Sequence, residues 1–427
     1  METIDLSTKR VLIYGMNYAS EVAGVGRYTG EIAEYLAASG ADVIVVTTPP
    51  HYPAWRVQLP YRNGRFSREM RNHVRVYRCP LMLREKMGGV WRLLAPLSFA
   101  VTSAPIALWQ ILRRRPSVVL MVEPTLFVAP AALLGARLVG ARTVLHVQDL
   151  EVDAAFAVGH LANRRWLRRL GAAFEWAVLG GFDQLITISE RMADRLAEKG
   201  VPAARIAVVR NWVDLDHISP LDRPSPYRSE LGYSPNDFIV LYSGTLGAKQ
   251  GLGVLLDAAT RLRDQRHIKF VVAGEGPAKA DLIANYGTLP TVRFLPFQPY
   301  ARFSAFLGLA NLHVVPQDAD AADLVLPSKL GGMLASGRRI LAMAAPATEL
   351  AHFLVDAAVL VRPSNALDLA EAIRAAAAQS LTDDREAERR RILATGLSKT
   401  RGLPSFASVL TGDARPDLPD QAKSVAV

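Results

Sequence analysis

Phe238-Ile-Val-Leu-Tyr242-Ser243-Gly244-Thr245-Leu246-Gly247-Ala248-Lys249-Gln250-Gly251 passes from an apolar, partly β-branched run into a glycine-rich segment and then into a helical pattern. The first five residues predict a strand. Val254, Leu255, Ala258, Ala259 and Leu262 recur at helical spacing, so a helix follows with one face on the sheet. Between them the glycines allow a sharp turn and a close approach to a ligand, while the unpaired N–H groups of the helix start point into the same space. Such a corner suits a phosphate. A plain βα turn has the same outline, so the rest of the chain must decide.

The same rhythm runs outward in both directions. Towards the N-terminus, strands are expected at Val11–Tyr14, Asp42–Thr47, His73–Tyr77, Val118–Val122, Thr143–Val147, Gln184–Ile188 and Ile206–Val209, with amphipathic helices such as Tyr28–Ser39 and Glu190–Lys199 between several of them. Towards the C-terminus they are expected at Ile268–Ala273, Val292–Leu295, Leu312–Val315, Ile340–Ala342 and Ala358–Val361. Alternating strands and helices predict α/β architecture with open, mostly parallel sheets. Residues 211–237, with Pro220, Pro224, Pro226 and Pro235, show neither period and read as a linker. The expected plan is therefore a doubly wound domain over 1–210, the linker, a second such domain over 238–380, and a charged segment over 381–427 ending in a disordered tail. Two such domains would face each other across a cleft at the C-terminal ends of their strands.

Composition narrows the class. The 427 residues are 50% apolar and 21% charged, which predicts globular domains. One cysteine, Cys79, excludes an internal disulfide framework and a multi-cysteine metal site. Only Val11-Leu-Ile-Tyr14 separates Lys9-Arg10 from Gly15, so no secretory leader is expected. Leu93–Leu112 has no charged residue, but its prolines, serines, threonine and glutamine favour one or two core helices over a membrane span. The net charge is +10, concentrated in nine arginines and Lys86 between Arg56 and Arg92, and again at Arg164, Arg165, Arg168 and Arg169. No nucleic-acid motif accompanies these, so an anionic membrane surface is the expected partner, with a solvated basic face as the plainer account.

Further candidates for chemistry follow the strands. In Leu326-Pro327-Ser328-Lys329-Leu330, ahead of Gly337, Ser328 reads as an N-cap and Lys329 as a cation in the first turn of a helix, unfavourable for the dipole unless an anion shares that end. Gly274-Glu275-Gly276-Pro277 makes a third turn. In the first half, Asn17 lies in the loop after the first strand, and Gly24-Val25-Gly26-Arg27 precedes a helix. The spacing Gly24, Gly26, Gly30 is not the dinucleotide fingerprint, and no acidic residue ends the second strand, so a dehydrogenase is disfavoured. Glu123, His146, Asp149, Glu151 and Asp153 lie at or beyond strand ends, where a carboxylate or imidazole can accept a proton from a hydroxyl.

Together these stretches carry a resemblance. Tyr14-Gly-Met-Asn-Tyr18, Gly24-Val-Gly-Arg-Tyr-Thr-Gly-Glu31, Pro49-Pro-His-Tyr-Pro53, His146-Val-Gln-Asp-Leu-Glu-Val-Asp153, Asn211-Trp-Val-Asp214, Ser243–Gly251, Phe294-Leu-Pro-Phe-Gln298, Val315-Pro-Gln317 and Asp323–Gly337 stand in order up to about residue 375. In this the chain resembles the family 4 glycosyltransferases of the GT-B fold, and among them the bacterial exopolysaccharide enzymes of the colanic acid type. The resemblance implies metal-independent, retaining transfer, with no cofactor beyond a nucleoside-diphosphate sugar as co-substrate. It implies a donor site at Gly244, Thr245, Gly247, Lys249, Gln250, Gly274, Glu275, Gly276, Phe297, Ser328 and Leu330, and the catalytic candidates are Lys329 there together with Glu123, Asp149 and His146 from the strand ends. Asn17, Gly24, Gly26 and Arg27 would form the acceptor or diphosphate loop. Lys329, Lys249 and the helix starts would stabilise the departing diphosphate.

Three departures stand out. The family's paired glutamates, eight positions apart, match Leu324 and Gly332, leaving Asp320 or Asp323 as substitutes; the phosphate-loop arginine and lysine match Thr245 and Gln250; and the cleft histidine matches Val122, beside Glu123. The expected function is transfer of a hexose or deoxyhexose to a lipid-linked oligosaccharide in exopolysaccharide assembly, by a cytoplasmic protein peripheral to the inner membrane. A catalytically silent nucleotide-sugar binder or scaffold is the first alternative, a sugar-nucleotide epimerase the second, and a nucleic-acid binder a distant further one. Base, sugar, acceptor and linkage have no signature in the sequence.

Overall fold

Fourteen strands form two separate sheets in the computed structural model, which describes residues 5–21, 24–52, 55–84, 91–150, 165–247, 250–317, 326–379 and 384–413. Contacts divide the chain into one unit of Met1–Arg210 with Thr400–Val427, and a second of Asn211–Lys399.

The first sheet contains β1 (Arg10–Tyr14), β2 (Asp42–Thr47), β3 (Ser67–Arg71), β4 (Val74–Arg78), β5 (Val118–Glu123), β6 (Arg142–Val147), β7 (Gln184–Thr187) and β8 (Ile206–Val208), in the order β3-β4-β2-β1-β5-β6-β7-β8. All pairings are parallel except β3 with β4. β1 and β5 are buried from Val11 and Val118 onward, as strands covered on both faces must be. β3, which reads Ser-Arg-Glu-Met-Arg, is missing from the sequence-based expectation because it has no apolar period. It is an exposed edge strand, and His73, expected to open a strand, instead forms with Asn72 a two-residue turn with φ of 64° and 45°.

Part of the basic segment around this hairpin is neutralised within the chain. Arg71 pairs with Glu34 at 3.5 Å, Arg75 pairs with Asp42, and buried Arg78 pairs with Glu69 at 2.6 Å while donating to the carbonyls of Thr48 and Ala19. Three of the arginines expected to meet a membrane are therefore engaged elsewhere.

Helix α1 (Val25–Ala38) follows β1; α2 (Trp91–Arg114) runs as one helix through Pro96 and Pro105; and α3 (Ala129–Val139) packs beside α2, where Gly135 lies so close to Ile111 and Leu108 that an added Cβ would be 2.9 Å from the former. The C-terminal helix Lys399–Thr411 also belongs with this unit. Phe406 is buried edge-on against His146 with ring centroids 4.8 Å apart, and Asp413 pairs with Lys9 at 3.5 Å. Residues 414–427, expected as a disordered tail, lie outside the described residues.

The second sheet is wholly parallel, in the order β11-β10-β9-β12-β13-β14, from β9 (Phe238–Ser243), β10 (Ile268–Ala273), β11 (Val292–Leu295), β12 (Leu312–Val315), β13 (Arg339–Met343) and β14 (Val359–Val361). Leu255, Ala258, Ala259 and Leu262 of the helix after β9 pack in one core with Val240 and Phe270, which fulfils the helical spacing read from the sequence. The segment read as a linker is built into this unit. Val213 and Ile218 lie in an apolar cluster with Leu330 and Met333; the Tyr227 hydroxyl donates to Gln298 Oε1 at 2.8 Å; and Arg228 reaches the carbonyls of Ser234 and Asp237 and Asn311 Oδ1. The helix Asp384–Gly396 is part of it too, with Arg390 buried and donating to the Ala357 carbonyl.

Candidate functional site

Three loops meet beyond the ends of β9, β10 and β12 in the second unit. The loop after β9 and the loop after β10 are joined backbone to backbone: Gly244 N–H donates to Ala273 O (3.0 Å), Leu246 N–H to Glu275 O (2.9 Å), and Ala278 N–H to Leu246 O (3.0 Å). This seam requires glycine. A Cβ at Gly274 would lie 1.8 Å from Gly244 O, and one at Gly276 would lie 2.3 Å from Leu246 O. Glu275, a predicted donor residue, turns its side chain to Lys279 at 2.7 Å, and its backbone holds the seam.

Lys329 reaches the same place from the third loop. Its Nζ lies 4.0 Å from the centroid of the Tyr242 ring, its Cδ would lie 3.5 Å from a Cβ at Gly244, and the Tyr242 hydroxyl donates to Thr245 O at 2.7 Å. No carboxylate among the described residues pairs with it, and burial pushes the ammonium down to about 7. Desolvation without a partner charge disfavours the cation. The helix after the glycine loop, Leu252–Arg261, starts at Gly251 (φ 61°) with no side-chain cap and no acidic residue in its first turn, so its N–H groups remain available to an anion. Gln250 folds its side chain over Gly247. Lys249 lies outside the described residues.

Other expectations here change. The helix after Lys329 is short, Leu330–Ala335; Lys329 itself occupies its cap position with helical dihedrals, and exposed Ser328 does not cap it. Leu330, assigned to the donor, is buried in the core beside Val213. Phe297 is half-buried in the loop after β11. At Gly332, where the family carries a glutamate, a Cβ would point at Leu307, Ile218 and Phe303, an apolar surround with no place for a carboxylate. Leu324, Asp320 and Asp323 lie outside the described residues, as do Glu151 and Asp153.

In the first unit the loop between β1 and α1 is organised by a residue that the sequence did not single out. Glu21, 3% exposed, accepts the backbone N–H groups of His51 (3.1 Å) and Tyr52 (3.0 Å) and the Asn17 amide (3.0 Å). Gly26 packs on the same carboxylate, with no room for a Cβ, and Gly24 (φ 68°) packs against the Tyr52 ring. Asn17 and Gly26 thus meet on Glu21, and Gly24 lies beside them against Tyr52. Arg27 lies in the first turn of α1 and pairs with Glu31 at 2.8 Å. Both Glu21 and His51 lie in or beside the motif stretches, but their separation of thirty positions gives no clue that they meet. An acidic residue inside a glycine loop was the available signal.

Of the proton acceptors proposed for this unit, Glu123 closes β5 and is 1% exposed, whereas Asp149 is exposed just beyond β6. His146 must be reassigned. It is 1% exposed, its ring edge lies on Phe406, its Nδ1 has no hydrogen-bond partner among the described residues, and burial drives its pKa to about 3. An imidazole that stays neutral inside the core is not poised to take a substrate proton. Among the described residues, no three His, Cys, Asp or Glu side chains gather in a manner suited to a metal ion.

Residues 23–212 match the glycosyl transferase 4-like domain, and residues 237–379 match the glycosyl transferases group 1 domain. The chain is 40% identical over 377 residues to the putative colanic acid biosynthesis glycosyl transferase WcaI of Escherichia coli K12, covering 86% of this chain and 92% of that one. Among solved structures, sucrose-phosphate synthase from Thermosynechococcus elongatus aligns with a TM-score of 0.72 at 17% identity over 94% of this chain and 98% of that one. The Anabaena protein HepE in complex with UDP and glucose aligns with a TM-score of 0.68 at 15% identity over 94% and 99%. These likenesses show the GT-B fold that the two parallel sheets predict. With both domain matches in sequence and 40% identity to WcaI over 86% of the chain, the protein belongs to the family 4 glycosyltransferases, in a group with the relative named for colanic acid biosynthesis.

Proposed function

We propose that the protein transfers a hexose or deoxyhexose from a nucleoside-diphosphate sugar to a lipid-linked oligosaccharide in exopolysaccharide assembly, with retention of anomeric configuration and without a metal ion. It would work in the cytoplasm at the anionic surface of the inner membrane. The observation that carries this reading is Lys329, a desolvated lysine without a carboxylate partner among the described residues, lying over Tyr242 beside the glycine seam. A donor diphosphate would supply the missing anion, and as the sugar leaves, the charge growing on the β-phosphate would be met by Lys329 and by the first turn of Leu252–Arg261. The Asn17–Arg27 loop would hold the acceptor, with Glu123 or Asp149 as the carboxylate nearest the reacting hydroxyl. The relative named for colanic acid biosynthesis supports the pathway, and the complex of HepE with UDP and glucose supports the donor class.

A silent nucleotide-sugar binder is the second reading, favoured by the apolar surround at Gly332 where the family carries a carboxylate. The test is thermal stabilisation by a panel of nucleoside diphosphates and their sugars, with and without EDTA, followed by turnover with the donor that binds. A ligand at a hundredfold its Kd stabilises by about 2.7 kcal/mol. Selective stabilisation by one diphosphate, insensitive to chelation, with transfer to a lipid-linked acceptor, is the expected result. Binding without turnover would establish the silent reading, and chelation-sensitive binding would refute metal independence.

A further inference from the structure

Helix α2 has its polarity reversed relative to a helix bordering water. Its polar side chains face the protein: Ser103 and Gln110 are buried, Ser103 meets the Tyr14 hydroxyl at 2.6 Å, Thr102 donates to Pro80 O at 2.6 Å, and Ser98 accepts from the Met82 N–H. Its outward row, at steps of three and four, is Leu97, Val101, Pro105, Trp109 and Leu112, all exposed, with Val101 68% exposed. α3 continues the surface beside it with Leu134 (54%) and Leu138 (62%). Single exposed apolar residues are ordinary, but two adjacent helices presenting a continuous apolar row are not.

The charge on this surface has one sign. Between Trp91 and Gly140 the only acidic residue is buried Glu123, whereas Arg113, Arg114, Arg115 and Arg137 end the two helices, and Arg113 lies over the Trp109 ring at 5.2 Å. Apolar row, interfacial tryptophan and cationic rim are the marks of a helix lying in a membrane surface. The inner face of α2 rules out a crossing helix, since Phe99, Ala107 and Ile111 are wholly buried in the core. A second copy of the chain is the poorer occupant, because a twofold contact would set this cationic face against itself with no acidic residue to answer it.

We propose that the outward face of α2 and α3 is a docking surface for an anionic lipid bilayer, with Val101, Trp109 and Leu134 entering the acyl boundary and Arg113–Arg115 meeting the headgroups. This rests on the reading that the protein works at an anionic membrane surface and names the face that meets it; it is measured without donor or acceptor, so the docking face and the transfer reaction can fail separately. The full chain is sedimented with phosphatidylcholine vesicles with and without phosphatidylglycerol. Binding to the anionic vesicles is expected to fall about tenfold for each of Val101→Glu and Leu134→Glu. Neutralising Arg68, Arg71 and Arg75 together should change it less, because Arg71 and Arg75 are already paired. Independently, brominated lipid should quench the tryptophan fluorescence, and Trp109→Phe should remove most of that quenching. Absence of binding by the wild-type chain, unchanged binding by both glutamate variants, or a dimer that these variants dissociate would each overturn the proposal.

Discussion

Replacing Lys329 by methionine should make the protein more stable while removing its affinity for the donor diphosphate. Methionine retains the unbranched chain that passes Gly244 and Tyr242, and removes the charge. Burial holds the ammonium near 7, against an ordinary value of 10.5. At full strength this gap corresponds to about 5 kcal/mol; the side chain is only half-buried, and water contact reduces the expected gain to about 2 kcal/mol. The sign follows from proton counting. Between about 7 and 10.5 the unfolded chain holds a proton that the folded one lacks, so wild-type stability rises with pH across that window, and the handicap is complete below about 7. Scanning calorimetry should therefore show the variant melting about 4–8 °C higher at or below neutral pH, for a unit the size of Asn211–Lys399, with the advantage fading towards pH 10. In the same experiment the stabilisation by nucleoside diphosphate expected of the wild type should vanish. A variant that melts lower at every pH would show that the lysine is not an uncompensated cation, and one that keeps the full ligand shift would remove Lys329 from the site.

Two other perturbations test the first unit. Glu21→Gln leaves one oxygen to accept from Asn17 and the His51 and Tyr52 amides, and turns a second donor towards them; it should cost about 1–3 kcal/mol and raise the acceptor KM more than it lowers kcat. An unchanged melting temperature with unchanged KM would show that this carboxylate organises nothing. His146→Phe addresses acid stability: the unfolded imidazole takes a proton near 6.5 and the folded one only near 3, so wild-type stability is lost as pH falls through that window, by about 1.4 kcal/mol per pH unit. The variant should show a flatter acid-unfolding profile and an unaltered pH profile of transfer, and a shifted transfer profile would return His146 to the chemistry.

What was legible in the sequence was what local pattern dictates. β9 and its glycine loop announce themselves because a β-branched run, a turn that only glycine can make and a 3.6-residue period follow one another within twenty-five residues. β3 has no such pattern and exists because β4 offers it an edge and Arg78 offers Glu69 a partner. The prolines of 211–237 interrupt any period, yet Ile218 and Tyr227 are buried, which only the tertiary surroundings decide. His146 was placed with the site because it lies near a strand end, but strand residues alternate faces, and the face it takes is covered by Phe406 from the far end of the chain. Glu21 meets His51 for the same reason: loops that are neighbours in space are strangers in sequence.

That closing helix also sets an order on biosynthesis. Phe406 covers His146, and Asp413 meets Lys9, so a unit begun at the N-terminus acquires its last layer only after Asn211–Lys399 has been made. At about 5–20 residues per second, that interval lasts about 10–40 s on the ribosome. During it the β6 surface around His146 lacks that cover, while the second unit is made as one contiguous stretch. The nascent first unit therefore stays incomplete until a helix that follows the whole of the second unit has been made.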